Sequence, residues 1–264
     1  MRGIAVSADG RFVLTASFDY SAILWDLDRQ TVIHRLLGHD AAVNAVAFVP
    51  GGQLAITGSD DGTIAVWELA SGRLLHRLTG HQGKITAVAV SRDGRLAASA
   101  GWDRTARLWH LDANGKAGPV LRHDANVNGV AFLPNGEGLV SGDHDGDLSL
   151  WRLPDGSAAG LLGSHDFGIS ALALAGDAPI VATASADETV ALWDVEARRE
   201  LTSLHGHEGP VFAVATTVDG TLIASGGADG RVRLWRRQAD GDIARTDIDH
   251  RGPVWALAFT PDGE

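Results

Sequence analysis

Cysteine is absent from these 264 residues, which removes disulfides and thiolate metal sites from consideration. A reducing compartment is compatible with that absence. No run of 18 apolar residues occurs and no apolar leader follows Met1, so the sequence predicts a soluble, unexported, cytoplasmic chain. Positive charge is also scarce. Against 33 acidic residues stand 22 basic ones, a net charge of −11, which opposes attraction to nucleic acid or to an anionic membrane. Arg231, Arg233, Arg236 and Arg237 form the one local basic cluster, and their spacing reads as the solvated face of an exposed strand rather than a phosphate site.

Glycine, by contrast, is plentiful. Thirty-three glycines among 45% apolar residues suit many short strands joined by tight turns. The stretch from Thr57 to Leu69 shows the pattern: two runs of alternating apolar residues flank Asp60-Asp61-Gly62, which predicts an antiparallel hairpin. This unit recurs. Trp25, Trp67, Trp109, Trp151, Trp193 and Trp235 follow one another at 42 residues. Six residues before each stands an aspartate: Asp19, Asp61, Asp103, Asp145, Asp187 and Asp229. Ten before each stands a hydroxyl: Thr15, Thr57, Ser99, Ser141, Thr183 and Ser225. His39, His81, His123, His165 and His207 come 14 residues after the first five tryptophans, and His250 comes 15 after the sixth.

A period of about 40–45 residues with Gly-His early and Trp-Asp late resembles the WD-repeat β-propeller family, and the resemblance runs from end to end. Gly38-His39, Gly80-His81 and Gly206-His207 keep the first dipeptide; Trp25-Asp26 and Trp193-Asp194 keep the second. The chemistry of the recurring set explains why it recurs. Indole N–H only donates, a carboxylate only accepts, and hydroxyl and imidazole do both, so the four can form a fully satisfied relay. The resemblance implies that they do so within each blade. A Ser-His-Asp set could also suggest nucleophilic catalysis, but copies in successive repeats point to a structural role.

The fold expected is all-β: six four-stranded repeats, near 1–37, 38–79, 80–121, 122–163, 164–205 and 206–248, forming one domain. Residues 249–264 read as the start of a further repeat. Val43 to Phe48, Ile85 to Val90, Val127 to Phe132, Ile169 to Leu174, Val211 to Thr216 and Val254 to Phe259 alternate small and larger apolar residues, as inner strands should. Gly3 to Ser7 matches the same pattern. Most hairpins that follow the inner strands contain glycine, as at Asp93-Gly94 and Gly176-Asp177. With inner-strand patterns at both ends, the chain is expected to be a fragment of a ring of seven or more blades, so that His250 does not meet Asp19. The alternative is a six-bladed ring closed by strand 252–259 on strand 11–17.

If the histidine and aspartate loops share a rim, as the resemblance implies, neighbouring positions face a partner. These are Arg2, Phe18, Tyr20, Asn44, Asp60, Lys84, Thr86, Trp102, Asn126, Asn128, His144, Ser170, Phe212 and Trp255. Trp102 and Trp255 are the two tryptophans outside the repeating set, and exposed aromatic residues are what interfaces use as anchors. Packing of the channel mouth is the plainer account of them. Catalysis finds little support, because the inner strands are nearly all apolar and His205 with His207 lacks an evident third metal ligand. We therefore expect no enzyme, no cofactor and no metal, but a scaffold for a protein or peptide. The competing expectation is a rigid structural or regulatory module of a larger, bacterial multidomain protein such as a kinase or nucleotide-binding switch protein.

Overall fold

A computed structural model describes residues 2–112, 115–175, 179–238 and 243–263. Their 24 strands form six antiparallel sheets of four, each taken in chain order. The second sheet is representative, with β5 (Val43–Phe48), β6 (Leu54–Ser59), β7 (Thr63–Glu68) and β8 (Arg73–Thr79). Strand β5 pairs Val46 with Thr57, and β6 pairs Thr57 with Ala65. Each sheet is a blade of a six-bladed propeller. The hairpin expected at Gly176-Asp177 lies outside the described residues.

Inner strands pack one upon the next, from β1 (Gly3–Val6) through β5, β9 (Ile85–Val90), β13 (Val127–Phe132) and β17 (Ile169–Leu174) to β21 (Val211–Thr216). The buried residues fall into five clusters, and each spans two consecutive blades. Leu14, Leu24 and Leu36 of blade 1, for instance, pack with Val43, Val46 and Trp67 of blade 2. Every such cluster holds the tryptophan of its later blade. A blade is thus too thin to have a core of its own, and its neighbour supplies the other half.

Close approach of the blades explains the small residues on the second strands. A methyl group built on Gly58 would lie 2.6 Å from Ile85 Cγ2 of the next blade, and one on Gly142 would lie 2.7 Å from Ile169 Cγ2. There is no room for either.

The stretch from Val254 to Phe259 corrects the expected seventh inner strand, because it forms no strand. A methyl on Gly226 would meet Val254 Cγ1 at 2.4 Å, so the stretch does follow β21 as Ile85 follows β5. What it lacks is a second strand beside it. Extended residues without a ladder of hydrogen bonds do not make a sheet. Blade 1 lies on its other side, where the Arg2 guanidinium is 5.9 Å from the Trp255 ring and Pro261 approaches Gly10. His250 Nδ1 stands 2.8 Å from the Gly252 carbonyl, while Asp19 is taken by Arg35 and Ser21.

Candidate functional site

Relays under the rim come first, since they hold its loops. In blade 2 the Trp67 indole donates to Thr57 Oγ1 at 2.9 Å, Thr57 Oγ1 lies 2.7 Å from His39 Nε2, and His39 Nδ1 lies 2.7 Å from Asp61 Oδ2. A carboxylate can only accept, so Nδ1 carries the proton and Nε2 accepts from the hydroxyl. Blade 3 repeats this through Trp109, Ser99, His81 and Asp103. Blade 5 does so with Trp193, Thr183, His165 and Asp187, and blade 6 with Trp235, Ser225, His207 and Asp229. In blade 1 the Trp25 indole donates to Thr15 at 2.9 Å, but among the described residues no histidine completes the set.

Blade 4 corrects the reading at Asp145. His123 Nδ1 contacts Asp143 Oδ2 at 2.9 Å, while Ser141 links His123 to Trp151 as expected. Asp145 is exposed. Asp143 ends its strand (Gly138–Asp143), where Ser59 and Ser185 end theirs, and its other oxygen takes the N–H groups of Asp145 and Asp147. Asp147 replaces the threonine that braces the carboxylate in blades 2, 3 and 5, as Thr63 braces Asp61. With one carboxylate seated at 143 and another at 147, a third would meet repulsion. Burial, with Asp143 and Asp145 nearby, raises the Asp147 pKa above the usual range.

Electrostatics agrees with a neutral imidazole at His81 and at His207. Burial pushes His81 and His207 down, overcoming the hydrogen bonds they donate to Asp103 and Asp229, which favour protonation. Burial pushes the aspartates up, but Asp61, Asp103 and Asp187 still sit below the usual carboxylate range because threonine, histidine and backbone groups donate to each of them. Asp229 lies lower again, since Arg233 donates to it at 2.6 Å. That arginine corrects another expectation: its side chain is 1% exposed, wedged against Asp229 and the Gly206 carbonyl, so the basic cluster is not wholly a solvated face. Arg35, Arg77 and Arg107 approach Asp19, Asp61 and Asp103 similarly.

Above the relays, most of the candidate contact residues meet. Asn44, Lys84, Thr86, Trp102, Asn128, His144, Ser170, Phe212 and Trp255 line one cavity of about 310 Å³ with Arg2. Phe18, Tyr20, Asp60 and Asn126 are not part of that lining. Phe18 lies under the Arg2 guanidinium at 4.3 Å, and Asp60 accepts from Asn44 at 2.7 Å. Tyr20 is exposed and held at φ 69°, in the turn position that Gly62 and Gly146 fill elsewhere.

Geometry divides the mouth into two kinds of residue. Asn44 donates to the Ile85 carbonyl, Thr86 to that of Val127 and Asn128 to that of Ile169, each at 2.8–2.9 Å. These are ties between neighbouring blades, which the sequence reading missed. On the other side Phe212 and Trp255 stack at 4.4 Å with planes 5° apart. Trp102, 44% exposed, carries the Lys84 ammonium 3.2 Å over its ring and donates its indole N–H to Asn128.

Among the described residues no group of three or more His, Cys, Asp or Glu is arranged to hold a metal ion. Nor is any described helix long and apolar enough to cross a membrane. The family model described as WD domain, G-beta repeat, matches residues 1–26, 30–68, 72–110, 118–152, 157–194 and 198–236. No curated protein matches the chain.

Proposed function

Because the chain belongs to the WD40 repeat family, whose propellers generally act as non-catalytic protein-interaction scaffolds, we propose that it holds a protein or peptide on the rim bearing the histidine and aspartate loops. The observation that carries this reading is the gathering of Trp102, Phe212 and Trp255 around one cavity, with Trp102 and Trp255 close to half exposed. Large rings at that exposure lose water on binding while their rotamers are already fixed, Trp255 by stacking on Phe212 and Trp102 by its hydrogen bond to Asn128. The net charge supports a partner other than nucleic acid or an anionic membrane, and a cytoplasmic location accords with the missing cysteines.

Replacing Trp102 by alanine should weaken binding by about 2 kcal/mol or more and leave folding nearly unchanged, because Asp103 and not Trp102 belongs to the relay. Trp255→Ala should do likewise. The assay compares both with Arg73→Ala, on the outermost strand of blade 2, for retention of partners and for urea midpoint. Equal losses in all three, or loss in the control alone, would move the site off this rim.

A further inference from the structure

We infer that the bound segment is an acidic peptide whose anionic side chains seat against Arg2 and Lys84 at the mouth; this rests on the rim reading above. Elimination is the first step. The amide of Asn44 spends both its hydrogens, on Asp60 and on the Ile85 carbonyl. Thr86 and Asn128 are spent on the next blades, and Asn128 Oδ1 is taken by Trp102. These three neutral polar groups at the mouth therefore serve the ring.

Arg2 and Lys84 are different. Both face aromatic rings: Lys84 lies over Trp102, and Arg2 over Phe18 with Trp255 nearby. Among the described residues no carboxylate forms an ion pair with either. A ring face holds a cation in place without consuming its N–H donors, which remain directed at whatever enters. Four arginines near the relays are neutralised: Arg35 by Asp19, Arg77 by Asp40 and Asp61, Arg107 by Asp103, Arg233 by Asp229. Two unneutralised, prepositioned cations in a chain of net charge −11 make a small positive island. Its surroundings disfavour a long polyanion but not one or two carboxylates carried on a short segment. The cavity, about 310 Å³, has room for such side chains and not for a folded domain. The Phe212–Trp255 stack beside it suits an apolar residue next to the acidic ones.

The test is selection from a displayed library of random heptapeptides on the full chain, followed by titration of the enriched peptides made synthetically. Enrichment of Asp and Glu is expected, with affinity falling as salt is raised. Lys84→Glu and Arg2→Glu should each weaken the selected peptide by about tenfold or more with the urea midpoint kept. Replacing its Glu by Gln should do the same, and replacing it by phosphoserine distinguishes a carboxylate site from a phosphate site by which of the two binds more tightly. Neutral or basic peptides whose enrichment still depends on Trp102 would overturn the acidic assignment and leave the rim reading standing. Acidic peptides indifferent to both Trp102→Ala and Lys84→Glu, or no enrichment at all, would overturn both.

Discussion

Five of the propeller's junctions differ from the sixth. Between consecutive blades from 1 to 6, the later blade's tryptophan is buried in a core that both blades build. Between blade 6 and blade 1 no such core forms among the described residues. Trp25 is only partly buried, and Asp19 has 46% of its side chain exposed where Asp61 has 9%. Yet Trp25 makes the same hydrogen bond to Thr15 that Trp67 makes to Thr57, at the same 2.9 Å. The comparison separates two things that travel together in the other blades. The indole–hydroxyl bond comes from the blade's own hairpin, whereas burial and the histidine come from the residues that precede it in the ring.

The largest test of this difference is at the tryptophans. Trp67→Ala should cost about 3–5 kcal/mol, the usual loss for a large buried aromatic side chain, whereas Trp25→Ala should cost about half as much because part of its surface is already in water. Urea melts of the two variants give the ratio. Equal losses would mean that residues 254–259 cover Trp25 as fully as a blade would.

Smaller effects are expected within blade 4, where the carboxylate has changed position. Asp143→Asn removes the charge that accepts from His123, Asp145 N–H and Asp147 N–H, and should cost about 1–3 kcal/mol; Asp145→Asn should stay within about 0.5 kcal/mol. Chemical denaturation of the pair decides which aspartate serves the relay.

The smallest test uses pH. His81 and His207 have folded pKa values below the ordinary histidine value because burial penalises the charged ring. The unfolded chain thus binds more protons near its own histidine pKa, about 6.5, so stability is full above that value and falls as pH drops below it. Urea midpoints at pH 7.5 and 5.5 should differ in that direction, and His81→Gln should shrink the difference.

Much of this was legible in the sequence, for reasons that also mark where legibility stops. Alternation, turn glycines and the 42-residue period locate 24 strands, because each depends on residues close in the chain. Four relays could be assigned residue by residue from spacing. The fourth blade escaped because a relay needs an oxygen at a point in space, not at a sequence offset, and Asp143 reaches that point from the other side of the turn. Its signal was present as three acids at 143, 145 and 147 in place of the usual single one. Val254 to Phe259 reads as locally as any inner strand, but a strand also requires a neighbour, which local pattern cannot supply. The candidate residues at the mouth could be placed by register. That Asn44, Thr86 and Asn128 tie blades together depends on which carbonyl the next blade leaves unpaired, and that is visible only in three dimensions.

Those ties carry a consequence for assembly. Each donor precedes its acceptor by 41 residues, so during synthesis the amide or hydroxyl emerges first and waits for one further blade. Each of these three docking events then closes a loop of the same length at the same entropic cost, whatever the number of blades already in place. The molecule looks circular, but energetically it grows as a linear polymer does, by repeated addition of one unit to a prepared end.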